Sequence, residues 1–219
     1  SEIINEFKKQ PVIFAFGEHP VNILDNVDCV CVSGGVPLNS PLIKQARIKG
    51  IPLINDAQIF LDLVPAKVIG ITGSAGKTTT TTLVGAVAKA NSTSSKKVWV
   101  GGNIGNPLIE EIENISPEDW VVMELSSFQL ELIHTSPTIS AVLNLTPNHL
   151  DRHKTMHAYT EAKANILKYQ QETDSVILNR ENPNSFDLRS RSVGKISTFG
   201  LNKPENEIMG TYLDNEMIM

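Results

Sequence analysis

The stretch Ala66–Thr78 reads AKVIGITGSAGKT and predicts a buried strand, a glycine loop and the start of a helix, in that order. Gly73 and Gly76 allow backbone conformations that other residues disfavour, so amide N–H groups of the loop can turn towards one anion. The helix that follows points its positive N-terminal end at the same place. This order of parts predicts a site for the phosphates of a nucleoside triphosphate.

Eight consecutive residues form the predicted nucleotide-binding set. They are Thr72, Gly73, Ser74, Ala75, Gly76, Lys77, Thr78 and Thr79. Lys77 would place positive charge beside the β- and γ-phosphates, and the Thr78 hydroxyl would complete a Mg²⁺ shell. The spacing departs from the common phosphate loop G-x4-G-K-[ST], because Ile71 stands where that loop has its first glycine. The departure argues against the commonest kinases and GTPases, and an ordinary glycine-rich strand–helix turn is the alternative.

Composition narrows the class of protein. The chain has 219 residues, 41% of them hydrophobic, and a net charge of −5, enough for one large or two small globular domains. The mild acidity gives no reason to expect nucleic acid or an anionic membrane as a partner. No apolar run approaches the roughly 18 residues of a membrane span. Cys29 and Cys31 are two apart in an apolar run, which favours small buried thiols over a disulfide and hence a reducing cytoplasm.

Short apolar runs alternate with helical patterns, which predicts an α/β fold with a mainly parallel sheet. The predicted strands are Val12–Phe16, Cys29–Ser33, Pro52–Asn55, Val68–Thr72, Val98–Val100, Trp120–Leu125, Ala141–Leu145 and Ser175–Asn179. The predicted helices are Ser40–Lys49, Gly76–Lys89, Pro107–Glu113 and Met156–Gln171. Asn182–Val193 has the composition of a solvated loop. A boundary near Leu63–Pro65 would separate an N-terminal unit, residues 1–64, from a nucleotide-binding unit, residues 65–219.

Three further stretches place polar groups after predicted strands. Val100–Pro107 is a glycine turn, which on its own is more typical of a tight turn at a helix start. Val121–Leu130 puts Glu124 at the end of a buried strand, where ligands collect in open α/β sheets. Glu124 is therefore a candidate Mg²⁺ ligand, with an ordinary edge charge as the equal alternative. Asn144–His153 gathers polar groups at another strand end.

Two patterns near the end of the chain have competing interpretations. His149, His153 and His157 recur every four residues, and one unbroken helix would align them for zinc. That interpretation is disfavoured because the helix would have to continue through Lys154 and Thr155. Lys163 lies in a predicted helix, where a lysine is ordinarily a solvated surface residue.

Taken together, these stretches resemble the Mur ligases, the ATP-dependent family that adds amino acids to the peptidoglycan precursor. The resemblance extends from about Phe16 to Phe199 and includes Val32–Pro41, which is similar to a uridine-binding loop. The matching motifs are Thr72–Thr78, Gly101–Pro107, Glu124–Leu130 and Asn144–His153. Their combination is most similar to the branch of the family that adds D-glutamate.

The resemblance implies a cytoplasmic, monomeric enzyme that joins D-glutamate to UDP-N-acetylmuramoyl-L-alanine through an acyl phosphate, with ATP and Mg²⁺. It implies small-molecule substrates, no nucleic acid and no membrane insertion. The implied fold is a Rossmann-like N-terminal unit followed by a central P-loop ATPase-type α/β domain. We expect both domains to be incomplete in these 219 residues and a C-terminal domain to be absent.

The resemblance also implies roles for single residues. The implied catalytic residues are Lys77, His149 and Lys163. Thr78 and Glu124 would hold one Mg²⁺, His149 would help to bind a second, and Lys163 would be carbamylated and orient a metal or its water. The implied substrate-binding residues are Ser33, Asn103, Ser127 and Gln129. Because only a neutral amine reacts with CO₂, the pKa of Lys163 would have to be lowered by burial or nearby cations.

Two features set this chain apart from the family pattern, and two other functions compete. Asn148 stands where the family has Asp, which removes a negative charge near the metals, and Gly34 replaces a proline of the uridine-side loop. The first competing function is a ligase of the same family for another amino acid. The second is a module that binds a nucleotide or a UDP-sugar without turnover.

Overall fold

The computed structural model describes residues 7, 10–17, 19–93, 96–105, 107–204 and 209–219. The chain divides into two compact units. The smaller unit contains the described residues up to Val30 together with Val36–Leu53. The larger unit contains Cys31–Gly35 and the described part of Ile54–Met219.

The smaller unit is built around one helix, α1 (Pro41–Ile48). Pro41 occupies the first turn, where its fixed φ suits a helix and its missing N–H costs nothing. Ile43 and Ala46 are buried on one face of α1. A 3₁₀ helix precedes it at Val21–Leu24. Two short strands, β1 (Val30–Cys31) and β2 (Leu53–Ile54), pair with each other; the first residue of each belongs to the smaller unit and the second to the larger.

A seven-stranded sheet forms the centre of the larger unit, and all of its neighbouring strands are parallel. Its strands are β3 (Lys67–Thr72), β4 (Val98–Gly102), β5 (Trp120–Glu124), β6 (Ile139–Val142), β7 (Ser175–Asn179), β8 (Lys195–Phe199) and β9 (Gly210–Thr211). The order across the sheet is β4-β5-β3-β6-β7-β8-β9, so β3 lies between strands that come later in the chain. The predicted α/β class with a mainly parallel sheet is confirmed.

Six helices of the described larger unit connect these strands. They are α2 (Asp56–Leu63), α3 (Lys77–Ala90), α4 (Ser127–Leu130), α5 (Leu150–His153), α6 (Met156–Lys168) and α7 (Pro183–Phe186). Two 3₁₀ helices cover Leu108–Asn114 and Asp187–Arg191, and strands β10 (Leu213–Asp214) and β11 (Met217–Ile218) pair antiparallel. The Thr155 side chain accepts the N–H of Ala158 and so caps α6.

The sheet is buried on both faces. Because successive side chains of a strand point to opposite faces, Val121 and Met123 of β5 join one apolar cluster while Val122 joins another. Helix α3 approaches the sheet closely because Gly85 has no side chain; a Cβ there would run into Val100 of β4. This approach packs α3 directly against β4.

Several predicted elements are wrong or shifted. Val12–Phe16 forms no strand, and its large side chains are exposed, Ile13 to 97%. Asn182–Val193 is no solvated loop, since its polar sequence contains α7 and a 3₁₀ helix that bury Ser185 and Leu188. Cys29 and Cys31 form no disulfide, but both are exposed, so the expected burial is wrong.

The remaining differences concern element ends and omissions. β6 begins and ends earlier than the predicted Ala141–Leu145, and the predicted helix Pro107–Glu113 is the 3₁₀ helix Leu108–Asn114. Helix α2 and strand β8 were not predicted, and neither were the short elements α4, α5, β9, β10, β11 and the 3₁₀ helix Val21–Leu24. The other predicted strands and helices are present, with ends that differ by a few residues.

We predict that Gly102→Ala destabilises the fold more than Gly105→Ala. Both glycines have positive φ, of 101° and 66°, but a Cβ at Gly102 would collide with the Glu124 backbone oxygen whereas one at Gly105 would meet nothing. Urea unfolding should show a loss of about 1 kcal/mol for Gly105→Ala and about 2–4 kcal/mol for Gly102→Ala. Equal losses would mean that the collision is relieved by a small backbone shift.

Candidate functional site

The carboxyl ends of the parallel strands β3, β4, β5 and β6 meet at one edge of the sheet. In the register of β5, Glu124 lies opposite Ile71 of β3 on one side and Gly102 of β4 on the other. The loop Gly73–Gly76 follows β3, and Asn144 comes two residues after β6. Ligands of open α/β sheets bind at such an edge, where the strand order reverses.

The glycine loop is fastened to the segment that follows β6. The N–H of Ser74 donates to the Asn144 carbonyl at 2.9 Å. The Asn144 side chain accepts the Ala75 N–H at 2.9 Å and donates to the Ala75 carbonyl at 3.0 Å. It thus pairs with the backbone of Ala75 as a residue of a neighbouring strand would. Gly76 has φ of 79°, a conformation that favours glycine. The loop is therefore held before any ligand arrives.

Lys77 folds back over this loop. Its ammonium donates to the Gly73 carbonyl at 3.0 Å and to the Ser74 carbonyl at 3.4 Å. The first N–H groups of a helix have no partner within the helix, and here they belong to α3, which begins at Lys77. A lysine and free amide donors around a glycine loop form an arrangement that fits a polyphosphate.

Glu124 is a buried carboxylate with two side-chain donors. It is 2% exposed. The Thr78 hydroxyl donates to Oε2 at 2.8 Å, and the Asn103 amide donates to Oε1 at 2.9 Å. Neighbouring ligands of an octahedral Mg²⁺ lie about 2.9 Å apart, given bonds of 2.0–2.1 Å at right angles. The Thr78–Glu124 oxygen pair therefore fits one edge of a Mg²⁺ shell.

Lys163 is buried, so its interpretation as a solvated surface lysine is wrong. Its side chain is among the largest that are fully enclosed, with 1% exposure. The Nζ atom donates to the Thr72 hydroxyl at 3.0 Å and lies 5.1 Å from the centre of the Tyr159 ring. Burial above all, together with the positive charge of Lys77, lowers the pKa of Lys163 to about 7, although the negative charge of Glu124 opposes the shift. A substantial share of neutral amine is thus present at neutral pH.

The three histidines do not align, so the zinc interpretation is wrong. His149 is exposed at the start of α5 with φ of 52°, and Lys154 at φ of 68° ends that helix before α6 begins. His153 is buried, whereas the side chain of His157 is 83% exposed beside Glu161. Among the residues that the structure describes, there is no group of three or more His, Cys, Asp or Glu side chains that could hold a metal ion.

His153 lies within an aromatic and polar cluster. Its ring stacks on Phe128 with 5.5 Å between centroids and 5° between planes, and its Nε2 lies 3.0 Å from the Ser127 hydroxyl. Burial is the main cause that lowers the pKa of His153, and the charges of nearby cations add to it. Phe128 also contacts His149, at 5.1 Å between ring centroids. The cluster places His149 beside a rigid aromatic surface.

A cavity of about 670 Å³ lies next to Asn103. Three predicted substrate-binding residues line it, namely Ser33, Asn103 and Gln129. Ser127 does not line it and is 2% exposed. The Gln129 side chain also forms a capping box with Ser126 at the start of α4 and donates to Asp56 at 3.3 Å. Gln129 is therefore already fixed by two neighbours.

Sequence reasoning missed two contributors to this site. The sequence motifs do not single out Tyr159, but its hydroxyl lies 3.0 Å from the Ser74 hydroxyl. Its position four residues before Lys163, on the same helix face, is the signal that could have identified it. Asn148 donates to the Ser74 carbonyl at 3.4 Å, a bond that a carboxylate could not donate. The amide that departs from the family pattern thus supports the glycine loop.

Comparison with known families gives one match over most of the chain. Residues 71–216 match the family described as the Mur ligase middle domain. UDP-N-acetylmuramoylalanine–D-glutamate ligase from Clostridium kluyveri is 39% identical over 217 residues, covering 99% of this chain and 46% of the relative. The protein of that name from Symbiobacterium thermophilum is 44% identical over 189 residues, 85% of this chain and 41% of the relative. The chain spans less than half the length of these relatives.

Solved structures support the fold. UDP-N-acetylmuramoyl-L-alanyl-D-glutamate–2,6-diaminopimelate ligase aligns with a TM-score of 0.56 and 19% identity, over 77% of this chain and 44% of that one. A UDP-N-acetylmuramate:L-alanyl-γ-D-glutamyl-meso-diaminopimelate ligase from Neisseria meningitides aligns with a TM-score of 0.55 and 18% identity, over 82% and 61%. At such identities the likeness concerns the fold alone. None of the described helices has the length and apolar character that crossing a membrane requires.

We predict a pH-dependent cost of burying Lys163. Its folded pKa of about 7 lies below the ordinary 10.5, so the unfolded chain binds more protons between these values. The free energy of unfolding of the wild type should therefore rise with pH across this window relative to Lys163→Met, by at most about 1.4 kcal/mol per pH unit. Below about pH 7 the difference should be constant and favour the variant. Denaturant unfolding in buffer free of CO₂ and Mg²⁺ measures it.

The matched control is Lys168→Met, which removes an exposed lysine from the same helix. It should show no such rise. If the difference in the free energy of unfolding between the wild type and Lys163→Met did not change with pH, the lowered pKa of Lys163 would be contradicted.

Proposed function

Since this chain belongs to the Mur ligase family, we propose that it forms the nucleotide-binding part of an ATP-dependent ligase. The proposed reaction joins D-glutamate to UDP-N-acetylmuramoyl-L-alanine through an acyl phosphate, in peptidoglycan precursor synthesis. One observation carries the proposal: Lys77, the Thr78–Glu124 oxygen pair and the buried Lys163 all surround the end of β3. The choice of D-glutamate is supported by relatives of that name at 39–44% identity.

In the proposed site, the loop Gly73–Thr79 and the start of α3 bind the phosphates of ATP. Lys77 exchanges its bonds to the loop carbonyls for bonds to phosphate oxygens and neutralises charge on the transferred group. Thr78 and Glu124 are the residues that would hold one Mg²⁺, and His149 would contribute to a second. When bound, the metal ions would screen the negative charges of phosphate and carboxylate so that the two can meet.

The proposed chemistry has two steps. First, a carboxylate oxygen of the substrate's alanyl group attacks the γ-phosphorus of ATP, the bond to ADP breaks, and an acyl phosphate forms. Next, the amine of D-glutamate attacks the acyl carbon, phosphate leaves and an amide results after loss of the amine proton. Lys77 and the α3 N–H groups supply fixed positive charge for the first step, which depends mostly on positioning and electrostatics.

We further propose that Lys163 carries a carbamate. Its enclosure and its pKa of about 7 supply the neutral amine that CO₂ requires. The resulting anion would lie beside the end of β3, where it could orient a metal ion or its water. This modification would give the buried lysine a chemical role that a purely structural lysine lacks.

The substrate side of the proposal uses the cavity beside Asn103. Its lining residues Ser33, Asn103 and Gln129 are proposed to contact the uridine, muramoyl or alanyl part of the substrate. Ser127, which does not line the cavity, stays a predicted substrate contact. Division into a UDP-substrate unit, residues 1–64, and an ATP unit, residues 65–219, stays a prediction. So do a monomeric state and a reducing cytoplasm, the latter supported by two cysteines without a disulfide.

The direct test supplies the purified native protein with Mg²⁺·ATP, UDP-N-acetylmuramoyl-L-alanine and either D- or L-glutamate. The proposal expects ADP, phosphate and a dipeptide product with D-glutamate only. If turnover occurred only with an L-amino acid, that amino acid would take the place of D-glutamate in the proposed reaction. ATP binding without ADP release under any combination of substrates would contradict it.

We predict that Lys77→Ala lowers the rate of ADP release at least about 10²-fold, because the phosphates lose their fixed cation. Lys89→Ala, at the exposed far end of the same helix, is the control and should retain the wild-type rate. A wild-type rate in Lys77→Ala would refute the phosphate-loop interpretation.

We also predict that Lys163→Ala loses activity and that short-chain carboxylates such as acetate partly restore it by replacing the carbamate. The measurement is the rate of ADP release against acetate concentration, with Lys168→Ala as the control. Full activity of Lys163→Ala without acetate would contradict the proposed carbamate.

A further inference from the structure

Thr72 is the last residue of β3, and its side chain faces away from solvent with 0% exposure. Its hydroxyl donates to the Leu125 carbonyl at 2.8 Å and accepts from Lys163 Nζ at 3.0 Å. A hydroxyl has only one proton, and the Leu125 carbonyl, which has no proton to offer, takes it. Towards Lys163 the hydroxyl can therefore act only as an acceptor.

We propose that Thr72 positions Lys163: its hydroxyl oxygen accepts an N–H of Lys163 and so fixes the plane of the carbamate that forms there. This inference rests on the proposed carbamylation of Lys163 and assigns Thr72 to the lysine rather than to the nucleotide. It predicts that the Thr72 hydroxyl matters for the carbamate and not for nucleotide affinity.

The chemistry of carbamylation explains why one acceptor suffices. The nitrogen lone pair of the neutral amine attacks the carbon of CO₂, an N–C bond forms, one C–O π pair moves onto oxygen, and a proton leaves the nitrogen to water. The product, R–NH–COO⁻, retains one N–H. Because its nitrogen lone pair is delocalised, the group is planar as an amide is, and the direction of the N–H determines the plane of the carboxylate.

Among the described residues around Lys163, Thr72 is the one that can fix the plane of the carbamate. Within the described part of the chain, Thr72 Oγ1 is the only hydrogen-bond acceptor for Lys163 Nζ. The Tyr159 ring, 5.1 Å away, provides a face but no acceptor oxygen in that contact. Thr72 in turn cannot rotate freely, since its proton is bound by Leu125 and its backbone lies in the parallel ladder opposite Val142.

A buried threonine elsewhere provides a matched control. Thr81 is also 0% exposed, but its hydroxyl has no hydrogen-bond partner among the described residues. Thr81→Val therefore makes the same chemical change in a buried position without removing a bond. Thr72→Ser keeps the hydroxyl and should behave as the wild type. Thr72→Ala removes the oxygen without adding a methyl group, in case Thr72→Val fails to fold.

The experiment follows the carbamate itself. The native protein and each variant are titrated with ¹³C-bicarbonate at about pH 9, where Lys163 is neutral, and the carbamate ¹³C signal is measured by NMR, with Lys163→Ala as the blank. A carbamate N–H is a stronger donor than an amine N–H, so loss of the acceptor should raise the bicarbonate needed for half-occupancy about two- to fivefold. ADP affinity, measured by calorimetry, should be unchanged.

The outcomes separate the inference from the function on which it rests. The inference is supported if Thr72→Val needs more bicarbonate for half-occupancy of the carbamate, while Thr72→Ser and Thr81→Val need as much as the wild type. The inference is overturned if Thr72→Val and Thr72→Ala need the same bicarbonate concentration for half-occupancy as the wild type. If ADP also binds more weakly to these variants, Thr72 is assigned to the nucleotide instead. Absence of any carbamate signal in the wild type overturns the proposed carbamate, and the inference with it.

A double-variant comparison gives a second readout. If Thr72 acts through Lys163, introducing Thr72→Val into the wild type should lower the rate of ADP release. Introducing it into Lys163→Ala, assayed with acetate, should cause no further loss of that rate. Equal losses in both backgrounds would show that Thr72 acts independently of the lysine and would overturn the inference.

Discussion

Parallel pairing of β3 with β5 and β6 is the constraint on which the site depends. Only parallel strands bring all of their carboxyl ends to one edge, and here that edge collects the glycine loop, Glu124 and Asn144. The pairing register places Glu124 directly opposite Ile71 of β3 and Gly102 of β4. A slip of one residue would turn Glu124 to the other face of the sheet. The chemistry of the edge is therefore a product of register as much as of residue type.

Two buried ionisable groups at this edge meet the cost of burial in different ways. Glu124 receives two hydrogen bonds, from Thr78 and Asn103, which satisfy a carboxylate in a place where water is scarce. Lys163 has one hydroxyl acceptor and an aromatic face, and its pKa falls to about 7. The edge thus combines a satisfied anion that suits a metal ion with an amine that readily loses its proton.

The sequence predicts the loop well and its surroundings poorly, for physical reasons. The strand–loop–helix at Ala66–Thr78 is encoded locally, by an apolar run and two glycines, and it is present as predicted. Strand β8 escaped prediction because its residues, KISTF, have neither a hydrophobic run nor a regular alternation of polar and apolar residues. Val12–Phe16 has such a run, but among the described residues it pairs with no other strand. Strand pairing is decided by the whole fold.

Helix periodicity places Lys163 on the same face of α6 as Tyr159, but it does not show what that face contacts. The burial of Lys163 results from contact between α6 and the end of β3, 91 residues earlier in the chain. The same long-range contact turns the Thr72 hydroxyl towards the lysine. Resemblance to a family pointed to Lys163, but only the packing explains how a lysine there can be neutral.

The most direct test of the account asks whether Lys163 and the phosphate loop belong to one metal site. The native protein, carrying a ¹³C-carbamate, is titrated with ADP and Mn²⁺, whose unpaired electrons broaden nearby nuclei. If Lys163 and the phosphate loop do belong to one metal site, the carbamate signal disappears at stoichiometric Mn²⁺·ADP and returns when Mg²⁺ replaces Mn²⁺. A carbamate signal that stays sharp while Mn²⁺·ADP is bound would contradict that shared site.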